Sequence, residues 1–210
     1  KIMKFKFLLI LFFSFSLQTS HASEDCMSNL SIFAEYYKVK NYDSAYEPWM
    51  KVRQECPKIN AAIYSYGKRM LEHFIKNSDG DQKLVYQNDL IKLYDEWLVN
   101  FPIVKGRNIT GEIMSNKAQA LLDNKLASKI EIFNTFDMAY SSDRASFDDP
   151  KPLYSYFKTY FELYKENADE VTLSKVFDKY EDISERFEEV IDGYAKQLAV
   201  ILKKEESGQP

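Results

Sequence analysis

YYKVKNYDSAYEPWMKVRQECP, residues 36–57, is the part of this chain whose spacing says most about its architecture. A first helix over about 27–38 and a second over about 43–54 are predicted to lie antiparallel. The second helix crosses the first at Ala45, whose small side chain allows the two backbones to approach closely. The positions that carry this interpretation are Tyr36, Tyr42, Ala45, Trp49 and Pro57.

Trp49 is predicted to fill the groove beside Ala45, and Pro57 to end the unit because its nitrogen cannot donate a hydrogen bond. The order of a small residue, an aromatic residue and a closing proline resembles the second helix of a tetratricopeptide repeat, a helical hairpin of about 34 residues. The resemblance implies an all-α fold in which antiparallel hairpins stack as a short α-solenoid. In the first helix Asn29, Ile32 and Phe33 depart from the repeat pattern, so an ordinary helical hairpin is the alternative.

The first 22 residues have the pattern of a signal peptide. Lys4 and Lys6 precede an apolar segment over 7–17, and Ser20-His21-Ala22 forms a cleavage site, with cleavage expected after Ala22. The apolar segment is too short to cross a bilayer comfortably. We therefore expect an exported protein, in the periplasm or alternatively secreted, whose mature chain does not insert into a membrane.

The two cysteines are predicted to form a disulfide. In an antiparallel hairpin the start of the first helix lies beside the end of the second, which brings Cys26 near Cys56. Export to an oxidising compartment favours the bond over two free thiols. On chain-entropy grounds a closed loop of about 30 residues contributes roughly 3–4 kcal/mol to stability.

Apolar residues at helical spacing predict two further hairpins, with helices over 60–76, 82–100, 110–122 and 125–140 and a loop over 105–109. The strings LYDEWLVNFP, residues 93–102, and CP at the end of the first hairpin resemble the repeat ends of exported tetratricopeptide-like proteins from Bacteroidota. Asp43-Ser44-Ala45 resembles the O-glycosylation acceptor of that phylum, which implies a glycan on Ser44. An Asp43 that caps the helix is the alternative explanation.

Domain boundaries follow from composition. After the signal peptide, a hairpin array over 23–140 is predicted to end at a polar linker, SSDRASFDDPKP, over 141–152. A helical hairpin with a long last helix then occupies 153–210. Its first helix places six residues on one apolar face, as a core-facing helix requires: Leu153, Tyr156, Phe157, Tyr160, Phe161 and Tyr164.

The long helix over about 169–206 has a heptad rhythm that is broken at Gln197. The residues in this rhythm are Leu173, Val176, Tyr180, Ile183, Phe187, Val190, Tyr194 and Ile201. Self-association as a coiled coil is one interpretation. We favour packing against the preceding aromatic helix, because Phe177, Ile191 and Leu198 widen the apolar stripe beyond a narrow seam.

Little in the sequence points to chemistry. The net charge is -4 with both signs interleaved, so no basic patch suggests nucleic acid. His21 is lost with the signal peptide, and His73 alone cannot build a zinc site. Asn77, Asp79 and Asp81 resemble a calcium loop, but its glycine stands one place too early. We expect no cofactor, no metal and no catalysis.

The sequence thus predicts a non-catalytic scaffold that binds a protein or peptide partner. Tyrosines on the inner helices of stacked hairpins suit such binding because they combine a rigid ring with a polar tip. Those considered are Tyr36, Tyr37, Tyr64 and Tyr66. The alternatives are a structural subunit that self-associates through the helix over 169–206, and an enzyme that uses carboxylates in a helical cleft.

Overall fold

The structure, a computed structural model, describes residues 18–166 and 172–206. These residues form α1 Gln18–Lys38, α2 Tyr42–Glu55, α3 Ala62–Lys76, α4 Gly80–Asn100, β1 Ile103–Val104, β2 Arg107–Asn108, α5 Thr110–Asn124, α6 Lys129–Ser142, α7 Pro150–Glu166 and α8 Leu173–Glu206. The expected all-α fold of adjacent helix pairs is confirmed. The predicted signal peptide lies outside the described residues, except for 18–22, which belong to α1.

Helices that follow one another in the chain pack together. α1 packs against α2, α5 against α6, and α7 against both α6 and α8. The contacts divide the chain into two compact units, one up to Leu93 and one from Tyr94 onward. The segment 141–152, expected to be a linker, lies inside the second unit.

In the first unit, α2 and α3 meet at Trp49. Ala45 and Trp49 are fully buried, as the sequence predicts. The indole Nε1 of Trp49 donates a hydrogen bond of 2.8 Å to the carbonyl oxygen of Ile63. Gly67 lies directly against this ring, because a Cβ atom at position 67 would stand 2.5 Å from it. Only a glycine at position 67 leaves room for the indole ring.

The turn before α2 differs from the expectation that Asp43 caps the helix. Asn41 is the N-cap, and its Oδ1 accepts a hydrogen bond of 3.3 Å from the backbone nitrogen of Ser44. Lys40 precedes it in the left-handed region at φ 59°. Asp43 instead stands in the first turn of α2, where its negative charge interacts favourably with the helix dipole.

The two ends of the first hairpin meet as predicted. Cys26 and Cys56 lie at disulfide-bonding distance, with their Cα atoms 6.2 Å apart, within the range that a disulfide spans. Pro57 follows Cys56, which is the C-cap residue of α2. Its carbonyl oxygen accepts a hydrogen bond of 3.0 Å from the Tyr64 hydroxyl, which ties the chain leaving α2 to α3.

A buried arginine joins α2 to α4. The Arg53 side chain is only 3% exposed, and its Nη1 lies 2.9 Å from Asp89 Oδ1. Its guanidinium carbon also lies 5.0 Å from the centre of the Trp49 ring. A buried charge needs a partner to remain in a core, so this ion pair holds α4 at one position along α2. Neither residue was singled out in the sequence.

In the second unit, the segment after α4 departs from the predicted loop over 105–109. β1 and β2 form a short antiparallel ribbon in which Ile103 faces Asn108, and Lys105 and Gly106 make its turn with positive φ angles. After the ribbon, Gly111 at the start of α5 lies against the end of α6. A Cβ atom there would stand 2.1 Å from the carbonyl oxygen of Asp143.

The core of the second unit is rich in aromatic rings. It consists of Ala118, Ile132, Phe136, Ala139, Tyr140, Phe147, Leu153, Tyr156, Ile183 and Val190. Phe147 lies in the middle of the segment expected to be a polar linker, yet it is fully buried. Of the predicted apolar face of α7, Leu153, Tyr156 and Tyr160 are buried, whereas Phe161 is exposed.

Only the first part of α8 contributes to this core. The buried residues of α8 are Val176, Ile183 and Val190, seven positions apart, and the last two belong to this core. The packing of α8 against the preceding aromatic helix is therefore confirmed for this part. Of the residues in the predicted heptad rhythm, Leu173, Tyr180, Tyr194 and Ile201 are exposed.

Gly67→Ala tests the contact between α2 and α3. The added Cβ collides with the Trp49 ring, so we expect a loss of about 1–3 kcal/mol in the free energy of unfolding, measured by urea denaturation followed by circular dichroism. Gly193→Ala is the matched control. A Cβ at this helical position has nothing within 4 Å, so the protein should become more stable by about 0.5–1 kcal/mol. Equal effects of the two changes would contradict the contact.

Peptide mapping of the unreduced protein should recover the segments around Cys26 and Cys56 as one linked species. Reduction should then lower the free energy of unfolding by roughly 3–4 kcal/mol, because the unfolded chain regains the entropy of a loop of about 30 residues. The Cys26→Ser/Cys56→Ser variant is the control, since reductant should leave its stability unchanged. Two free thiols in protein exported to an oxidising compartment would contradict the bond.

Candidate functional site

Burial separates the residues of the predicted repeat signature. Ala45 and Trp49 are fully buried, so they stabilise the hairpin and cannot reach a partner. Tyr42 and Pro57 are half-buried, and Tyr36 is 39% exposed. The residues at the centre of the signature are therefore packing residues, and those at its edge lie at or near the surface.

Ser44 lies on the first turn of α2. Ser44 is exposed, and its backbone nitrogen donates a hydrogen bond to the side chain of Asn41, the N-cap residue. An exposed hydroxyl is what O-glycosylation would require, and the glycan on Ser44 stays a prediction.

Aromatic rings of the first unit stack at its surface. The rings of Tyr37 and Tyr66 are nearly parallel, with centroids 4.1 Å apart and an interplanar angle of 3°. Tyr42 lies 5.7 Å from Tyr37, and the His73 ring lies 4.8 Å from Tyr42. With Arg69, these four residues are here called the tyrosine cluster. Tyr64, also considered from the sequence, is fully buried and does not belong to it.

Two exposed basic side chains form the edge of the tyrosine cluster. Arg69 Nη1 donates a hydrogen bond of 3.3 Å to the Tyr37 hydroxyl, and this bond raises the pKa of the guanidinium. His73 is exposed, and its Nδ1 lies 3.3 Å from Asn77 Nδ2. The cluster thus offers half-buried ring faces beside a permanent cation and an imidazole.

The sequence explains why these side chains meet. Tyr66, Arg69 and His73 recur at three and four residues, which places them on one face of α3. Tyr37 lies in the last turn of α1, beside the turn into α2. Fully buried Phe33 supports the rings, with its centroid 6.2 Å from those of both Tyr37 and Tyr66. The spacing on α3 could have revealed Arg69, which was not singled out.

The second unit carries a different kind of surface, an apolar groove between α7 and the start of α8. Its volume is about 280 Å³, and its lining is Phe157, Phe161, Leu173, Val176, Phe177 and Tyr180. The Tyr180 ring stands edge-on to Phe157 with centroids 5.4 Å apart. Lys165 Nζ lies 5.3 Å from the centre of the Phe161 ring. The groove can hold an apolar side chain, but it offers no group for chemistry.

The residues that come nearest to a reactive group are Asp137, Tyr156 and Lys179. The Tyr156 hydroxyl donates a hydrogen bond to Asp137 Oδ1. Lys179 Nζ donates to the same Oδ1 at 3.1 Å and to the Tyr156 hydroxyl at 2.8 Å. These bonds join α6, α7 and α8 at the edge of the aromatic core.

The pKa values of this network reflect burial and the hydrogen bonds within it. Burial and the hydrogen bond to Asp137 raise the pKa of Tyr156 far above its ordinary value, so its hydroxyl stays protonated near neutral pH and cannot act as a base. For Asp137, burial pushes the pKa upward, but the hydrogen bonds from Tyr156 and Lys179 outweigh it and lower the pKa overall. The arrangement is that of a structural tie.

A second tie is built around Arg144. Its Nε donates a hydrogen bond of 2.9 Å to the Tyr140 hydroxyl, and its Nη1 lies 3.0 and 2.9 Å from the two carboxylate oxygens of Glu189. Tyr140 in turn donates to Asp182 Oδ1 at 3.0 Å. Burial is the main reason that the pKa of Tyr140 rises to about 12. The pKa of Glu189 falls because Arg186 and Arg144 both donate to it.

Within residues 18–166 and 172–206, no three His, Cys, Asp or Glu side chains gather as a metal site would need. Asp79 and Asp81, considered as calcium ligands, thus have no such group around them. Over the same residues, no helix combines the length and the apolar character of a membrane span.

The chain matches no family model, no curated protein and no solved structure. The resemblance to tetratricopeptide repeats of Bacteroidota therefore rests on the residues of the first hairpin and on the short strings quoted above.

Asp137→Asn tests the tie between α6, α7 and α8. The lowered pKa means that the ionised carboxylate favours the folded state above about pH 3.9, its ordinary value, and that this contribution is lost as the pH falls through the folded value. At neutral pH we expect a loss of about 1 kcal/mol, the scale of a partly exposed charged hydrogen bond.

The stabilities of the Asp137→Asn variant and the unchanged protein should then converge as the pH is lowered from 7 to below 4, measured by urea denaturation at each pH. Asp192→Asn, at an exposed position of α8, is the control and should change stability by less than about 0.5 kcal/mol. A difference for Asp137→Asn that stays constant over this pH range would contradict the assignment.

Proposed function

We propose that this chain is a non-catalytic, exported helical-repeat scaffold that binds a protein or peptide partner through the tyrosine cluster. The observation that carries the proposal is the stack of Tyr37 on Tyr66, half-buried and bordered by Arg69. Rings held in this way lose little conformational freedom on binding, which is why tyrosine and arginine are common at the centres of interfaces.

The charges around the cluster indicate the chemistry of the partner. Arg69 is a permanent cation, His73 is exposed beside it, and Lys38 and Lys76 are exposed at the ends of α1 and α3. These basic groups outnumber Glu72, the acidic residue that interacts with Arg69. Such a surface attracts a carboxylate, while the faces of the rings accept an apolar side chain. The proposed partner is therefore a peptide segment that carries acidic residues next to an aromatic or aliphatic residue.

Features of the first hairpin support the proposed setting of this function. The cysteine pair at bonding distance supports export, because disulfides persist in oxidising compartments such as the periplasm. The pairing of helices along the chain and the buried Ala45 and Trp49 support the kinship with tetratricopeptide repeats. In such repeats the helix pairs form an extended binding surface.

A random peptide library displayed on phage tests this proposal. The unchanged protein should select acidic peptides with an aromatic or aliphatic residue. Their affinity should fall about 30-fold or more in Tyr37→Ala, on the scale of a hot-spot residue. Arg69→Glu should shift the selection toward basic peptides, because it reverses the charge at the edge of the cluster.

Tyr154→Ala is the matched control, since Tyr154 is an exposed tyrosine of the second unit and its loss should leave affinity unchanged. Peptides that bind equally well to the Tyr37 and Arg69 variants would show that the cluster is not the site.

A further inference from the structure

The second half of α8 presents apolar side chains to solvent. From Ile191 to Glu205, no residue of α8 is buried. Four exposed apolar residues recur there at intervals of three, four and three: Ile191, Tyr194, Leu198 and Ile201. This spacing is that of the a and d positions of a coiled coil, and these four residues are here called the exposed seam.

The exposed seam is distinct from the line of residues that anchors α8 in its own unit. Continued toward the start of α8, the seven-residue spacing of the seam passes through positions 191, 184 and 177. The buried residues of α8 each lie one position earlier, at Val190, Ile183 and Val176. One position corresponds to about 100° around a helix. The seam can therefore meet another helix while α8 keeps its place in the second unit.

We propose that two copies of this chain associate through antiparallel pairing of the exposed seams of their α8 helices. In this arrangement Ile191 of one copy lies opposite Ile201 of the other, and Tyr194 lies opposite Leu198. The pairing does not involve the tyrosine cluster, so this proposal and the proposed peptide binding stand or fall independently.

Charge favours the antiparallel direction. Residues 181–192 of α8 carry six acidic side chains and Arg186, whereas the following turns carry Lys196, Lys203 and Lys204 before the helix ends at Glu205 and Glu206. A parallel pair would set the acidic stretches side by side. The antiparallel pair brings Lys203 and Lys204 of one copy level with Glu189 and Glu188 of the other, and it opposes the two helix dipoles.

Charge also selects how far the two helices overlap. Residues that follow the d positions flank the contact, and in an antiparallel pair they lie beside their counterparts in the other helix. If the two helices overlapped over their whole length, Glu188 of one copy would lie beside Glu188 of the other. In the shorter overlap, Glu188 lies beside Leu202 and Ala195 beside Ala195. The repulsion is then absent.

The oligomeric state of the chain tests the proposal. Four apolar residues per copy make a small contact, of the size found in transient complexes. Sedimentation velocity should therefore show a monomer at about 1 μM and a dimer at about 100 μM. In Leu198→Glu, a charge enters the centre of the contact, and the protein should remain a monomer over the whole range.

Val200→Glu is the matched control. Val200 and Leu198 are both 56% exposed, but Val200 points to the opposite side of the helix, so this variant should dimerise as the unchanged protein does. A monomer throughout the range for the unchanged protein, a dimer that survives Leu198→Glu, or a loss of dimer in both variants would each overturn the proposal.

A thiol-specific cross-linker of short span tests the direction and overlap. At 100 μM, Ala195→Cys should yield a covalent dimer, because the two copies of residue 195 lie side by side. Glu181→Cys should yield none, because residue 181 lies beyond the overlap. The reverse result would overturn the arrangement. Cosedimentation of a monomer with phosphatidylcholine–phosphatidylserine vesicles would also overturn it, since the exposed seam would then belong to a lipid surface.

Discussion

The contact between the Trp49 indole and Gly67 limits how the helices of the first unit can be arranged. Because position 67 has no side chain, the indole reaches the backbone of α3 and its nitrogen bonds the carbonyl of Ile63. The guanidinium of Arg53 lies over the same ring, and its ion-pair partner Asp89 belongs to α4. One side chain thus sets the positions of three helices. A larger residue at 67 would separate α2 from α3 and remove support from the buried ion pair.

The second unit uses polar ties around an aromatic core. Tyr140 and Tyr156 place their rings among Phe136 and Phe147 and their hydroxyls at the edge of the core, where Asp182 and Asp137 accept hydrogen bonds. Tyrosine suits this double role because its ring is apolar and its tip needs a partner. The ties are directional, so they fix the positions of α6, α7 and α8 relative to one another more sharply than apolar packing alone.

The sequence predicted correctly the features that depend on helix periodicity or on the geometry of a single hairpin. The helices, the burial of Ala45 and Trp49, and the approach of Cys26 to Cys56 follow from periodicity and from the geometry of a hairpin. The sequence did not predict burial that depends on contacts beyond a single hairpin. Phe147 stands among polar residues and Arg53 among residues of an ordinary helix surface, so neither shows its burial locally. Within the tyrosine cluster, the spacing on α3 was readable, but the stacking on Tyr37 depends on how α1 and α3 meet.

The position of the cysteine pair has a consequence for resistance to proteolysis. The turn between α1 and α2 exposes Val39 and Lys40, and such a turn is a preferred place for a protease to cut. With Cys26 joined to Cys56, a cut at this turn would break the chain without releasing α1, because the bond lies at the opposite end of the hairpin. Backbone cleavage and loss of the hairpin thus become separate events.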